Sequence, residues 1–154
     1  MLNTITGFEK LMQEHEVIMA NTRQITGATD NLLALSDLQD STVNFTDYQV
    51  SYLSDKRVNL KRAIASLRDG LMDHQSREEE MISPLVGITI IRAIKLQHRE
   101  VLELLAEIDW ILLNVSPVGI LFNSSFLKQK MDIMCQLLSS HCARENSVLE
   151  LLSR

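Results

Sequence analysis

The chain has 154 residues, of which 45% are hydrophobic, and its formal net charge at pH 7 is −5. A chain of this length and composition can bury one hydrophobic core, so we predict a single domain spanning residues 1–154. The negative charge argues against nucleic acid as a partner, because phosphate binding requires a basic face.

The composition also argues against membrane insertion and secretion. No run of about eighteen apolar residues is present, and the N-terminal segment lacks the basic and apolar stretches of a secretion signal. The two cysteines, Cys135 and Cys142, would lie about 10 Å apart on one helix face, which is too far for a disulfide. We therefore expect a reduced, cytoplasmic protein with no membrane partner.

The first two helices are predicted from apolar residues at helical spacing. Helix one runs from about residue 4 to residue 38, and residues 36–42, rich in cap-type side chains, form the connection that follows. Helix two begins near Asn44 or Thr46, which are residue types that cap helix N-termini. It runs through Leu85, and Pro84 and Gly87 mark its end.

The last two helices follow the same pattern. Helix three starts after Gly87 and continues to about Leu113; its first residues are β-branched, but the apolar periodicity runs on without a break. Residues 114–119 give the clearest loop signal in the chain. Helix four begins near Asn123 or Ser124 and runs to the C-terminus. Four amphipathic helices with short connections predict an all-α fold, an antiparallel up-down-up-down four-helix bundle.

Each predicted helix carries one of the four histidines, and each histidine lies on or beside the apolar stripe of its helix. Two of them are followed by a glutamate four residues later. Because residues four apart share a helix face, each pair directs an imidazole and a carboxylate at one point in the core. The candidate site residues are His15, His74, Glu78, His98, His141 and Glu145.

Helix lengths test whether these histidines can meet. His74 lies about 20 Å before the turn near Gly87 and His98 about 17 Å after it, at about 1.5 Å per residue. The connection near residue 118 leaves a mismatch of about 5 Å between His98 and His141. The first connection leaves about 10 Å between His15 and His74, which an asymmetric loop would have to absorb.

Imidazole is a ligand for iron, zinc and copper, whereas carboxylates favour harder ions. Six such ligands in an apolar bundle match two adjacent cations better than one. We therefore predict a two-metal site in which Glu78 and Glu145 bridge the ions and each ion receives two histidines. Bridging carboxylates would also offset the charge of the cations in a medium of low dielectric constant.

The alternative is that each histidine is simply a hydrogen-bonded core residue. The glutamates oppose it, since an unpaired glutamate is almost never fully buried. Glu14 and Glu16, which flank His15, are expected to be solvated. The same holds for Glu79 and Glu80, although the side chain of Glu79 is close enough to hydrogen-bond a metal-ligating residue from outside.

The sequence resembles the hemerythrin-like cation-binding domains over nearly its whole length. The matching segments are Leu11-x-x-Glu14-His15, His74-x-x-x-Glu78-Glu79-x-x-x-x-Pro84-Leu85, His98-Arg99-Glu100-Val101-Leu102 and His141-x-x-x-Glu145-Asn146-x-x-Leu149. The order His-x-x-x-Glu differs from the Glu-x-x-His of ferritin-like bundles. The resemblance implies a non-haem di-iron centre (Fe²⁺/Fe³⁺) with the four histidines as ligands and the two glutamates as bridges.

One position departs from the resemblance. Oxygen-carrying members of the family place another histidine four residues after the one in helix three, where this chain has Leu102. The site would then hold four histidines, which leaves more coordination positions open, puts reversible oxygen carriage in doubt and permits another metal such as zinc.

Three hypotheses about function follow. In the first, a di-iron protein binds or senses O2, NO or iron itself and is not an enzyme. In the second, the same site serves a redox enzyme that acts on peroxide or repairs nitrosyl damage. We rank it lower, because no general acid or base stands apart from the ligands. In the third, the chain is a metal-free helical interaction module, for example a homodimer.

Overall fold

The computed structural model describes the backbone of residues 2–39, 47–116, 119 and 123–154, and the side chains of these residues except 2–5, 32–39, 47–49 and 124. The described residues form four long helices and contain no strand, which confirms the all-α prediction. The helices are α1 (Leu2–Gln39), α2 (Asp47–Ile82), α3 (Ile88–Asn114) and α4 (Ser124–Ser153).

The helix ends agree with most of the sequence signals. The backbone amides of Leu85 and Val86 both donate to the carbonyl of Ile82, where α2 ends, three residues before the predicted Leu85 and two before the end marker Pro84. Gly87 is the N-cap of α3, and Asn123 is the N-cap of α4. The predicted caps Asn44 and Thr46 of α2, and residues 117–118 of the predicted loop, lie outside the described residues.

The predicted connection after α1 begins too early. Residues 36–39 are helical, and α1 therefore continues to Gln39. Their cap-type side chains favour a helix end, but local preferences of this size are weak and do not prevent a long helix from continuing.

Each helix packs against two others. α1 contacts α2 and α4, and α3 contacts the same two helices, so that the contacting pairs close a ring. This arrangement is consistent with a four-helix bundle.

The core consists of two apolar clusters separated by a polar layer. The larger cluster includes Ile18, Ile64, Leu71, Val101, Leu105 and Leu138, and the smaller one consists of Phe8, Leu11, Ile82, Ile94 and Leu149. Every helix contributes to both clusters, and its histidine lies between the two contributions. The four histidines are therefore at the same level of the core, enclosed by apolar side chains on both sides.

Large apolar side chains also remain at the surface, with Trp110 63% and Phe126 49% exposed. They line a shallow apolar groove between α3 and α4. None of the described helices contains a stretch that is long and apolar enough to cross a lipid bilayer.

Candidate metal centre

The structure brings all six predicted site residues together in the polar layer. No side chain of the six is more than about a twentieth exposed, and Glu78 is completely buried. The histidines come from four helices, and the two glutamates, Glu78 and Glu145, come from α2 and α4. Burial of two carboxylates this deep is costly unless charges or hydrogen bonds compensate it.

The six residues form two overlapping groups. One group, which we call subsite A, consists of His15 and His74 with both glutamates, and the other, subsite B, consists of His98 and His141 with the same glutamates. Within each group, one potential ligand atom from every residue lies within 4.8 Å of the others. The two histidine pairs are thus distinct, whereas the carboxylates are common to both.

The carboxylate oxygens are divided between the subsites. In subsite A, the Nε2 atom of His15 lies 3.2 Å from Oε2 of Glu78 and 3.0 Å from Oε2 of Glu145. The Nε2 atom of His74 faces the same two oxygens, at 2.9 and 3.9 Å.

Subsite B uses the other oxygen of each carboxylate. Nε2 of His98 lies 3.2 Å from Oε1 of Glu78 and 3.3 Å from Oε1 of Glu145. Nε2 of His141 contacts Oε1 of Glu145. Each glutamate therefore presents one oxygen to each histidine pair, which is the arrangement a carboxylate needs to bridge two cations.

The outer nitrogen of every histidine has an oxygen partner of its own. Nδ1 of His15 pairs with Asn146 Oδ1 at 2.7 Å, and Nδ1 of His74 pairs with Glu14 Oε2 at 2.7 Å. Nδ1 of His98 pairs with Glu79 Oε1 at 3.0 Å, and Nδ1 of His141 pairs with Gln97 Oε1 at 2.7 Å.

These oxygens can only accept a hydrogen bond, so each Nδ1 carries the proton and donates it outward. In the neutral ring, the lone pair of Nε2 then points inward. Hydrogen bonds of this kind fix the tautomer and orientation of histidines that ligate metals.

The model of the hemerythrin HHE cation-binding domain matches residues 6–152, nearly the whole chain. The chain belongs to this family. No curated protein and no solved structure shows significant similarity to it. The HHE match confirms the resemblance seen in the sequence, and with the two histidine–glutamate groups it supports a metal-binding role.

The polar atoms of this HHE domain fit a pair of cations. Nε2 of His74, Nε2 of His141 and Oε1 of Glu78 are buried and lack a hydrogen-bond partner among the described residues. All three point into the polar layer, where imidazole lone pairs and carboxylate oxygens face one another. A cation is the partner that would satisfy both kinds of atom.

The protonation equilibria of the site reflect this crowding. Burial raises the pKa of Glu78, but the nearby imidazoles of His15, His74 and His98 outweigh it and hold that pKa well below its ordinary range. Burial and the nearby charge of His98 lower the pKa of His141 to about 3. For His74, burial lowers the pKa, but the neighbouring carboxylates of Glu78 and Glu14 prevail and raise it.

Three of the four outer partners were not predicted from the sequence. Glu14 was expected to be solvated, which is wrong: it is only partly exposed and binds both His74 and Arg77. Gln97 and Asn146 were assigned no role. Glu79, for which a supporting position was considered, takes that position.

A simple signal identifies all four partners after the fact. Each one directly precedes or follows a site residue in the sequence, yet it contacts the histidine of the neighbouring helix. One residue along a helix turns the side chain by about 100°, which moves it from the core towards the adjacent helix. The support passes from α1 to α2, from α2 to α3, from α3 to α4 and from α4 back to α1.

The two cysteines stand apart from this constellation. Burial raises the pKa of the Cys142 thiol to about 12, so it is protonated and unreactive at neutral pH. Sγ of Cys135 lies 2.9 Å from the hydroxyl of Thr26. Neither thiol belongs to the two histidine–glutamate groups.

Two surface clefts border the centre. One, of about 370 Å³, lies between α1 and α2 and is lined by Glu14, Gly70, His74 and Arg77 among others. The other, of about 500 Å³, lies between α2 and α3 and is lined by Glu79, His98 and Leu102 among others. Leu102 also packs against the larger apolar cluster. Each cleft therefore reaches the outer edge of one histidine from one subsite.

Proposed function

We propose that this HHE domain holds two iron ions, one in each subsite, and that the pair binds or senses O2 or NO. The observation that supports this most directly is the division of the carboxylate oxygens, with Oε2 of Glu78 and Glu145 facing subsite A and Oε1 of both facing subsite B. Two histidine pairs that share two bridging carboxylates need two cations to use every ligand atom.

The donor set favours iron and an open site. Each ion would receive two imidazole nitrogens and two carboxylate oxygens from the protein. Mixed histidine and carboxylate sites with free positions are typical of non-haem iron proteins that react with small molecules. The protein's part is to hold four imidazoles in one tautomer, to keep the carboxylate of Glu78 ionised and to surround the ligands with apolar side chains. Zinc would also fit these ligands.

Reconstitution tests the proposal. Metal-free protein is loaded with ferrous iron under anaerobic conditions, its metal content is measured by mass spectrometry, and it is then exposed to air or NO. We expect two iron ions per chain and new charge-transfer absorption between about 300 and 550 nm, the region expected from the family resemblance and from imidazole and carboxylate ligation.

Two variants sharpen the experiment. Glu78→Gln removes a ligand common to both subsites and should abolish the absorption, whereas Glu80→Gln removes the same charge from an exposed position of α2 and should leave it intact. An unaltered spectrum after air and NO in iron-loaded protein would rule out the binding role. Protein that takes up no iron would support the metal-free interaction module.

The redox-enzyme hypothesis uses the same centre and stays a prediction. Peroxide turnover by iron-loaded protein that disappears in His74→Ala would favour it over simple binding. The homodimer and the cytoplasmic location also remain predictions.

We also infer that the bundle is antiparallel and forms one domain. α1 and α3 pass from the smaller apolar cluster to the larger one along the chain, whereas α2 and α4 pass from the larger to the smaller. Neighbouring helices that cross the same layers in opposite order run in opposite directions. Spin-label distances between the start of α1 and the end of α2 would test this: the two sites should lie close together, whereas parallel helices would place them a helix length apart.

A further inference from the structure

The outer partners of the four histidines are of two chemical kinds. In subsite A, His74 is supported by the carboxylate of Glu14 and His15 by the amide of Asn146. In subsite B, His98 is supported by the carboxylate of Glu79 and His141 by the amide of Gln97. Each subsite therefore has one charged and one neutral support.

A carboxylate and an amide act differently on the imidazole between them and a cation. Both accept the Nδ1 proton and orient the ring, but the carboxylate also adds a negative charge that makes Nε2 a stronger donor. Because Glu14 contacts only His74 among the site histidines, and Glu79 only His98, each charge acts mainly on its own subsite.

The negative charges of the centre also match the positive charges of two divalent cations. Glu14, Glu78, Glu79 and Glu145 contribute four negative charges, and two divalent cations contribute four positive ones. Arg77 binds the second oxygen of Glu14 at 3.0 Å, but its side chain is 45% exposed, so water screens much of its charge. Glu79 is 31% exposed and is screened in part, whereas Glu78 and Glu145 are buried. An apolar environment favours a neutral assembly over one with excess charge.

We propose that Glu14 and Glu79 are positioning residues that separately set the cation affinity of subsites A and B and match the centre to two divalent ions. The proposal rests on the proposed function only in that the centre must hold two metal ions. It assigns Glu14 to one ion and Glu79 to the other, although neither carboxylate is itself a ligand.

The structure indicates which variants separate the effect of the carboxylate charge from the orientation of the histidine ring. The amide oxygens of Asn146 and Gln97 accept a histidine Nδ1–H at 2.7 Å, so an amide can perform this structural role. Glu14→Gln and Glu79→Gln should therefore keep the ring orientation and remove the charge. Glu16→Gln and Glu80→Gln are the matched controls, because both remove a charge from an exposed neighbouring position.

The experiment is an anaerobic titration of metal-free protein with Co²⁺, followed by calorimetry and by the visible absorption of the bound ion. The wild-type chain should bind two ions. Glu14→Gln and Glu79→Gln should each weaken one of the two by about 10- to 100-fold, the usual cost of losing such a partner, and leave the other unchanged. The control variants should bind both ions like the wild type.

Repeating the titration in chains that carry one impaired subsite shows which of the two ions is affected. In His141→Gln, which impairs subsite B, Glu14→Gln should weaken the remaining ion and Glu79→Gln should not. In His15→Gln, which impairs subsite A, the pattern should be reversed. The reduction potential of the iron-loaded protein gives an independent measure: each of the two charge-removing variants should raise it, because a less negative surrounding disfavours the more positive oxidised state.

The outcomes separate this inference from the proposed function. A wild-type chain that binds no Co²⁺ and no iron contradicts both. Two ions bound with wild-type affinity and unchanged potential in Glu14→Gln and Glu79→Gln overturn the inference and leave the di-metal function standing. Equal melting temperatures of the metal-free variants and wild type show that folding is intact.

Discussion

Glu78 is the residue on which both subsites depend. Its side chain is completely buried and approaches three histidines, one each from α1, α2 and α3. Loss of an outer partner of a ligand typically weakens metal binding by about 10- to 100-fold, so loss of a shared ligand should weaken it by more than about 100-fold. Glu78→Gln should therefore reduce the iron content from two ions to none, as measured by mass spectrometry after gel filtration.

His74→Gln provides the comparison for this prediction. It removes one ligand from subsite A and leaves the four residues of subsite B in place. One retained ion is expected. If Glu78→Gln also retained one ion, Glu78 would not act as a bridge.

His141 should give the metal-free protein a distinct acid sensitivity. In the folded chain its pKa is about 3, because burial and the charge of His98 oppose protonation, whereas its ordinary value is 6.5. Between these values the unfolded chain binds the additional proton, so the contribution of His141 to stability falls as the pH decreases from 6.5 towards 3. Glu145 and Gln97 face the His141 ring. The His141→Gln variant keeps both of these residues and removes only the titratable imidazole.

Urea unfolding of metal-free protein across this pH range measures the effect. The free energy of unfolding should fall more steeply with acidification in the wild type than in His141→Gln. Parallel curves would mean that His141 does not stay neutral in the folded chain.

At the level of the helices, the sequence was sufficient for much of the site. One histidine per apolar stripe, with glutamates four residues after His74 and His141, predicted which side chains would face the core. The depth mismatch expected between His15 and His74 is smaller in the structure. The span from His15 to the end of α1 is about 36 Å, and that from the start of α2 to His74 is about 40 Å.

The supporting residues could not be predicted in the same way. Glu14, Gln97 and Asn146 lie beside the apolar stripes, where solvent and a neighbouring helix are both possible environments. Which of the two they meet depends on the rotation of each helix about its axis, and helical periodicity leaves that rotation undetermined by tens of degrees. The continuation of α1 beyond residue 36 likewise depends on packing, which local cap preferences do not predict.

Glycines inside the helices offer a test of local helix stability. A Cβ atom added at Gly27 of α1 or Gly70 of α2 would meet no other atom within 4 Å. Gly27→Ala and Gly70→Ala should each raise the free energy of unfolding by about 0.5–1 kcal/mol, because alanine loses less backbone entropy than glycine. Chemical denaturation of the metal-free protein measures the change.

Gly7 is the contrasting position. A Cβ atom there would collide with the side chain of Met81 at the contact between α1 and α2. Gly7→Ala should therefore raise the free energy of unfolding little or lower it. The side chain of Met81, which packs against the smaller apolar cluster, must move to make room for the added Cβ atom. A gain at Gly7 equal to that at Gly27 would mean that this contact is looser than the structure indicates.

For the whole molecule, metal binding and folding should be coupled. Ions that bind only the native chain at about 100 times the dissociation constant stabilise it by about 2.7 kcal/mol. For a chain of this size, that corresponds to a rise in melting temperature of about 5–10 °C. Calorimetry of wild-type protein with ferrous iron and with a chelator should show the difference, and Glu78→Gln should show none.

The circular support around the centre has a consequence for how the protein is made. Every histidine depends on a residue from the preceding helix, and the first helix depends on the last. Subsite A with its supports therefore needs α1, α2 and α4, and subsite B with its supports needs α2, α3 and α4. A ribosome synthesises α4 after the other three helices, and until then His15 lacks Asn146 and both subsites lack Glu145. We therefore expect cation uptake only after α4 has been synthesised and packed against its neighbours, which would make the supply of metal a post-translational control point.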